Sequence, residues 1–232
     1  MRAPSTPAAS RAIQLFDGAP RADRFHVRAR WWTAPLPAVE RHLPVAGRIL
    51  EVGSGHGLLS LYIALCSRAR SVVGIDIDAH KVTLAEAAAA RFDPGEAQVE
   101  FSAVGPGELP AGPFDAIVIN DVLYLMPDAA RRAVLDGCIE RLDPDGVLVV
   151  KELDVRPRWK YLVGHVQELV ATRVLRYTQG DEVDIAPLRE FADHLRSRGF
   201  GVVETRVDRG YLHPHALLTA RPPAPGHGAP AD

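Results

Sequence analysis

Cysteine, charge imbalance and long apolar runs are all scarce in this chain, and each scarcity excludes a class of protein. Cys66 and Cys138 are its only cysteines; they lie far apart without zinc-type spacing, which predicts two reduced, packed thiols in a cytoplasmic protein and no metal site. A formal net charge of −2 gives no reason to expect a nucleic-acid partner. No apolar run approaches the thickness of a bilayer, and residues 1–10 lack the apolar core of a secretory signal.

A glycine-rich stretch between a strand pattern and a helix pattern carries the most information. A short apolar run ends in Glu51, glycines follow at positions 53, 55 and 57, and an apolar helical pattern begins at Leu58. This order predicts a strand, a tight turn and a helix N-terminus, the first half of a nucleotide-type βαβ unit. Glycine permits unusual backbone angles and lets a ligand lie against the main chain.

Glu51 discriminates between the two cofactor classes that use such a turn. A dinucleotide site needs G-x-G-x-x-G/A, and its sixth position is Leu58 here. A carboxylate two residues before the first glycine would repel a pyrophosphate, but it suits a ligand with a sulfonium and an ammonium group. The run Glu51-x-Gly53-x-Gly55-x-Gly57 resembles the first motif of class I S-adenosylmethionine-dependent methyltransferases. A nicotinamide-dependent oxidoreductase remains a less favoured alternative.

Strand and helix patterns alternate along most of the chain, which predicts an α/β, doubly wound and mostly parallel sheet. The resemblance covers about residues 46–151 and implies a Rossmann-like methyltransferase fold of seven strands, the last antiparallel, with S-adenosylmethionine as cofactor. We expect strands ending at 51 and spanning 71–76, 98–103, 114–120, 147–151, 200–207 and 215–220. Helices are expected at 36–43, 58–66, 81–92, 127–142, 159–177 and 187–198.

Four segments should meet where the cofactor binds, outside the carboxyl ends of the strands: residues 53–57, Asp76, the turn at Gly105 and residues 120–124. The predicted cofactor-binding residues are Glu51, Gly53, Ser54, Gly55, Gly57, Asp76, Ile77 and Asn120. Asp76 ends an apolar run, so an acid there can take the ribose hydroxyls, while Asp78 caps the next helix. The family often places an adenine-binding acid where this chain has Gly105, so either a backbone group or Glu108 should replace it.

The domain boundaries follow from composition. Residues 1–20 are rich in Pro, Ala and Ser and are predicted to be disordered apart from a short turn at 13–16. Residues 21–220 are expected to form a single methyltransferase domain with a helical insertion at about 152–198, and residues 221–232 a loose tail. The arginine-aromatic segment at 21–32 should pack on the domain and, with the insertion, roof the pocket. The apolar faces of these two segments favour a small, hydrophobic or partly lipidic acceptor.

The sequence offers several bases for the acceptor's proton and singles out none. O-methylation is favoured, and a hydroxyl acceptor benefits from a base. Strand direction predicts that the connection at 208–215 lies on the cofactor side, so His213 and His215 are the candidate catalytic residues, with a solvated hairpin as the alternative. His56 should contact backbone or cofactor, and His165 should be structural. A non-catalytic binding protein on the same fold is the other interpretation, and Gly105 mildly favours it.

Overall fold

A computed structural model describes residues 4–153 and 188–223. The helices are α1 (Pro7–Gln14), α2 (Arg21–Thr33), α3 (Leu36–Glu40), α4 (Leu58–Cys66), α5 (Ala79–Ala89), α6 (Asp128–Arg141) and α7 (Leu188–Ser197), with a 3₁₀ turn at Leu123–Leu125. The strands are β1 (Gly47–Val52), β2 (Arg70–Asp76), β3 (Gln98–Ala103), β4 (Phe114–Asn120), β5 (Leu142–Leu153), β6 (Gly201–Arg206) and β7 (His215–Arg221). Among these residues no helix is both long and apolar enough to cross a membrane.

All seven strands join one sheet in the order β3-β2-β1-β4-β5-β7-β6. The first five pair in parallel, and β7 pairs antiparallel with both β5 and β6. The predicted doubly wound, mostly parallel sheet with an antiparallel last strand is therefore confirmed. The order of the strands reverses beside β1, so the switch point lies at the end of β1 and β4, where ligands bind in such sheets.

The prediction that residues 1–20 are disordered is wrong for residues 7–16. Thr6 caps α1 by accepting the backbone N–H of Ala9, and Pro7 occupies the first turn, where a missing N–H costs nothing. The apolar residues recur at helical spacing, and Ala9, Ala12, Leu15 and Phe16 are buried in the core. The alanine-rich composition therefore indicated a packed helix, not a loose tail.

Other boundaries also differ from prediction, and α3 ends at Glu40 instead of residue 43. Helix α5 begins at Ala79, because Asp78 accepts the backbone N–H groups of His80 and Lys81; its predicted role as a cap is confirmed. Strand β5 starts at Leu142 instead of Val147, with a register shift at 143–146, between the predicted helix at 127–142 and the predicted strand at 147–151. Helix α7 covers the predicted helix at 187–198 from Leu188 onward. The predicted helix at 159–177, with His165, lies outside the described residues.

An apolar layer covers each face of the sheet. The face to which a strand residue belongs determines which polar side chains lie next to one another at the carboxyl edge. Ile49, Val118, Val149 and Leu217 belong to the layer under α1, α2, α4 and α5, whereas their strand neighbours face α6 and α7. Side chains two positions apart in a strand share a face. The polar residues that follow on the first face are Glu51, Asn120, Lys151 and His215.

Candidate active site

The three glycines of the turn after β1 are required for different reasons. A Cβ at Gly53 would collide with Val122, and one at Gly57 would collide with Phe101, so both are required by packing of the protein itself. A Cβ at Gly55 would meet nothing within 4 Å, and the residue has φ +54°. Only Gly55 therefore presents bare backbone to open space, as a ligand-binding turn requires.

Asp76, at the end of β2, holds this turn in place. One carboxylate oxygen accepts the N–H of Gly55 at 2.7 Å, and the other accepts the N–H of Asp78 at 2.9 Å. Each oxygen keeps a further lone pair for an external hydroxyl. The neighbouring Ile77 is 69% exposed. The structure thus places Asp76 and Ile77 beside the glycine turn, as the sequence predicted.

Glu51 is a buried carboxyl group at the end of β1. Its Oε2 atom accepts a hydrogen bond from Ser60 Oγ at 2.5 Å. Burial raises the pKa of Glu51 to about 8, although the Ser60 hydroxyl and the charge of Arg30 oppose this rise. The carboxyl group is therefore largely protonated at neutral pH, and a cationic ligand beside it would favour its ionised form.

Four buried side-chain atoms within the described residues have no hydrogen-bond partner, and all four belong to the carboxyl edge. They are Ser54 Oγ, Asn120 Oδ1, Glu152 Oε2 and His215 Nδ1. Buried polar atoms are normally paired, so a cluster of exceptions points to a ligand site. Ser54 and Asn120 lie in the turn after β1 and at the end of β4, as predicted.

Helix α2 lies across this edge and contacts it at both ends. Near its start, Asp23 Oδ1 lies 3.2 Å from His56 Nε2, within the glycine turn. Near its end, the carbonyl oxygen of Thr33 lies 2.8 Å from His215 Nε2. Trp31 packs edge-on against Tyr62 of α4. The prediction that residues 21–32 pack on the domain is confirmed for this inner face, and His56 contacts α2.

A buried ion network links the last turn of α2 to the ends of β4 and β5. Arg30 Nη2 lies 2.6 Å from Asp121 Oδ2, and Lys151 Nζ donates to both oxygens of the same carboxylate at 2.6 and 2.5 Å. The Lys151 side chain is wholly buried, whereas that of Arg30 is 31% exposed. Although burial alone would raise it, the charges of Lys151 and Arg30 hold the pKa of Asp121 well below its usual range.

Glu152 is the next residue of β5 and points to the opposite face. Its Oε1 atom accepts the backbone N–H groups of Val122 and Leu123 at 2.9 and 2.8 Å. Burial and the charge of Asp121 raise the pKa of Glu152 to about 8. Glu152 therefore fixes the segment that follows β4, directly behind the site.

The connection between β6 and β7 lies at the carboxyl edge, as strand direction predicted, since His215 pairs with Leu153 at the end of β5. The rings of Tyr211 and His213 lie 5.5 and 6.1 Å from the ring of His215. Nε2 of His215 faces a carbonyl oxygen and must donate to it, so Nδ1 is the accepting nitrogen. Burial, and then the charge of Lys151, lowers the pKa of His215 to about 3.

The segment after β3 shows what occupies the position of the missing acid. The backbone N–H of Gly105 donates to Oε2 of Glu108 at 2.8 Å. The carboxylate of Glu108 thus folds back onto Gly105 and engages its amide. The backbone amide of Gly105 and the carboxylate of Glu108, one from each of the two alternatives that the sequence left open, thus lie in one contact.

The sequence interpretation missed Arg30, Asp121, Lys151 and Glu152. A signal existed for the last two, because charged residues directly end the buried apolar run Val147–Val150. Asp121 also has φ +58°, an unusual angle for a residue other than glycine, and such strain often marks functional sites. Arg30 could not be separated by type or spacing from its neighbours Arg24 and Arg28.

The residues present fit S-adenosylmethionine. Gly55 supplies bare backbone, Asp76 an acceptor for ribose hydroxyls, and Glu51 a buried acid for the cationic end. The unpartnered oxygens of Ser54 and Asn120 add two further groups beside them.

Comparison with known proteins agrees with this geometry. Residues 50–148 match the family model described as a methyltransferase domain. The ubiquinone biosynthesis O-methyltransferase of Xanthomonas axonopodis pv. citri (strain 306) is 29% identical over 195 residues, which cover 76% of this chain and 78% of that protein. The ribosomal protein L11 methyltransferase of Ralstonia nicotianae is 33% identical over 117 residues, 46% of this chain and 37% of that protein.

Among solved structures, the magnesium protoporphyrin IX methyltransferase of Synechocystis PCC 6803 with bound SAH superposes with a TM-score of 0.66 at 17% identity. The match covers 91% of this chain and 93% of that one. The likeness in fold, the matched domain and the geometry of the glycine turn agree with one another. Residues 50–148 therefore form the methyltransferase domain of an S-adenosylmethionine-dependent methyltransferase.

Proposed function

We propose that this methyltransferase transfers the methyl group of S-adenosylmethionine to the oxygen of a small, largely apolar acceptor that carries an acidic hydroxyl, such as a phenol or an enol. The observation that supports this proposal is the network at the ends of β4 and β5. There two cations, Arg30 and Lys151, face the single carboxylate of Asp121. A net positive charge beside a hydroxyl lowers its pKa and favours the oxyanion that attacks the methyl group.

The Xanthomonas relative supports the choice of oxygen as the acceptor atom, because it is named an O-methyltransferase. The Ralstonia relative is named for a protein substrate, so likeness alone does not select the acceptor. The apolar character of the acceptor rests on the prediction that the segment at 21–32 and the insertion roof the pocket; within that segment Val27 and Trp31 face inward. We include Glu51, Gly55, Asp76 and Asn120 as the groups that hold the cofactor, and Glu108 as the reader of the adenine amino group.

The two histidines of the β6–β7 connection have different roles in this proposal: one positions the acceptor, and the other takes its proton. His215 is buried, neutral and tied to Thr33, so it positions the acceptor through Nδ1 and is a weak base. His213 is half-buried next to it and is the better candidate for taking the proton. Methyl transfer also requires the acceptor to be aligned behind the methyl group, so positioning supplies much of the rate.

Acceptor preference gives the direct test. The purified protein is incubated with S-adenosylmethionine and matched aromatic acceptors that carry a phenol, an alcohol, an amine or a thiol. We expect the phenol to gain one methyl group fastest, at a rate that rises as electron-withdrawing groups acidify the hydroxyl, detected by mass spectrometry of the product. Preferential transfer to the amine or to ribosomal protein would contradict the proposal. Cofactor binding without transfer to any acceptor would support the non-catalytic alternative.

Replacing His213 by Ala should slow turnover by about 10²- to 10⁴-fold, the usual contribution of a positioned base. Cofactor affinity should not change, because the imidazole acts on the acceptor. The His215→Asn variant keeps a hydrogen-bonding group of similar reach, so we expect it mainly to raise the KM for the acceptor. Steady-state kinetics with a phenol, together with calorimetry of S-adenosylmethionine binding, separate the two roles. Unchanged turnover in His213→Ala together with an unchanged acceptor KM in His215→Asn removes the connection from the mechanism.

The raised pKa of Glu51 predicts a proton-linked cofactor affinity. Below about pH 8 the free protein holds this proton, whereas a cationic ligand selects the ionised carboxylate. Binding at pH 6.5 should therefore release close to one proton, and affinity should rise as pH increases toward 8. Calorimetry in two buffers of different ionisation enthalpy measures the released proton. The Glu51→Gln variant should bind more weakly and release none; equal release in both variants would refute the assignment.

A further inference from the structure

Helix α2 has a second face, opposite to the one that contacts the site. Arg21, Phe25, Arg28 and Trp32 recur at intervals of four, three and four residues, which places them in one stripe along the helix. Val27 and Trp31 are buried on the inner side, and Arg30 makes its contact there. The stripe therefore points away from the sheet.

The stripe combines exposed aromatic rings with basic groups. Phe25 is 71% exposed and Trp32 is 38% exposed. Large aromatic rings are costly to leave in water and are usually packed. Helix α2 contains four arginines and one acid, a charge of +3 in a chain whose net charge is −2. Arg28 meets Asp17 only at 3.5 Å, and Arg21 and Arg24 make no ion pair with any described residue.

Exposed aliphatic side chains continue this surface on neighbouring segments of the same edge. Leu125 follows β4 in the 3₁₀ turn, and Leu212 lies in the β6–β7 connection. They are 56% and 48% exposed. Thr33, the residue after Trp32, contacts His215 at the start of β7, and the connection that carries Leu212 leads into the same strand. The apolar surface therefore borders the cleft instead of a remote part of the molecule.

We propose that the outer stripe of α2, together with Leu125 and Leu212, docks the enzyme onto an anionic lipid surface with its cleft facing the lipid. Arginines alternating with Phe and Trp on one helical face are suited to the headgroup region, where rings enter the acyl boundary and the cations meet anionic headgroups. Nucleic acid fits less well, because the aliphatic Leu125 and Leu212 provide no surface on which bases stack. This lipid-docking proposal is independent of the proposed acceptor chemistry, because docking onto a lipid surface requires no acceptor.

Vesicle co-sedimentation tests this proposal with the whole protein and without any acceptor. The probes are phosphatidylcholine vesicles with and without phosphatidylglycerol. We expect binding to the anionic vesicles that is roughly tenfold or more tighter than to the neutral ones and that weakens with salt, as two to three basic residues at such a surface imply. Binding of equal strength to both vesicles, or to neither, overturns the proposal.

Three variants locate the surface. Phe25→Ser with Trp32→Ser should reduce binding to anionic vesicles by about tenfold or more, and Arg21→Gln with Arg28→Gln should remove the preference for anionic lipid. Val203→Ser is the matched control, because Val203 is 61% exposed on the edge strand β6 and lies outside the stripe. Each variant must bind S-adenosylmethionine like the parent protein, which shows that it is folded.

Two results would contradict the assignment of this surface. One is an equal loss of vesicle binding in the Val203→Ser control. The other is tighter binding of the parent protein to single-stranded RNA than to anionic vesicles at the same salt concentration, which would assign the stripe to another class of partner. Failure of O-methylation would leave the vesicle result unaffected, so the two proposals are tested separately.

Discussion

The Gly55→Val variant should fold but lose S-adenosylmethionine binding by more than about 100-fold. Its side chain would project into the open space above the turn, where the cofactor's backbone contact is expected, and φ +54° is unfavourable for a β-branched residue. The strain alone costs roughly 1–2 kcal/mol of stability. Calorimetry with S-adenosylmethionine and thermal unfolding measure the two effects.

Gly95→Val is the control for strain. Gly95 has φ +75° and also has nothing within 4 Å of its Cβ position, but it precedes β3 at the opposite end of the sheet. It should lose similar stability and keep full cofactor affinity. If Gly55→Val binds the cofactor as well as Gly95→Val does, the cofactor does not lie on this turn.

The second large effect should come from Asp121→Asn. Asparagine tolerates the φ of +58° at this position and nearly preserves shape, so the change removes only charge. It leaves the ammonium group of Lys151 buried without a counter-ion, which costs about 3–5 kcal/mol of unfolding free energy. It also releases Arg30, and α2 loses the ion pair that joins its last turn to the sheet edge. Denaturant unfolding at pH 7 measures the loss.

A second substitution shows whether the loss is electrostatic. Lys151→Met in the Asp121→Asn background removes the buried charge and should restore most of the stability. The pH dependence gives an independent check. The pKa of Asp121 is lowered in the folded protein, so its contribution is present above the unfolded pKa of about 4 and is lost as pH falls below it. Asp121→Asn should therefore show a smaller loss of stability between pH 5 and pH 3 (roughly the range over which unfolded carboxyls titrate) than the parent protein.

The sequence was sufficient for the sheet because buried parallel strands are short, continuous apolar runs that glycine, proline and acidic residues interrupt. Six of the seven strands lie within one residue of their predicted bounds, and β5 differs because pairing with Phe114 extends it back to Leu142. Local composition misled us at α1, where burial of Ala9 and Phe16 against other elements outweighs the low hydrophobicity of the segment.

The glycine turn and the placement of Asp76 beside it were predictable because a turn of fixed shape needs fixed residue types. The ion network was not, because Arg30, Asp121 and Lys151 are far apart in the sequence and meet only through tertiary packing. The different properties of His213 and His215 also depend on tertiary packing. The sequence shows only that the two histidines are two residues apart, whereas the burial that lowers the pKa of His215 comes from α2 and β5.

The position of β7 between β5 and β6 has a consequence for how the chain acquires its structure during synthesis. Strands β1 to β5 can pair as soon as they leave the ribosome, whereas β6, among the described strands, pairs only with β7, which is synthesised after it. Until residues 215–221 are available, β6 has no partner and the edge of β5 that carries Lys151 is open. The cofactor turn can therefore form early, but the half of the cleft that contains His215 is completed last, through contacts between segments far apart in the sequence, which are slow to form.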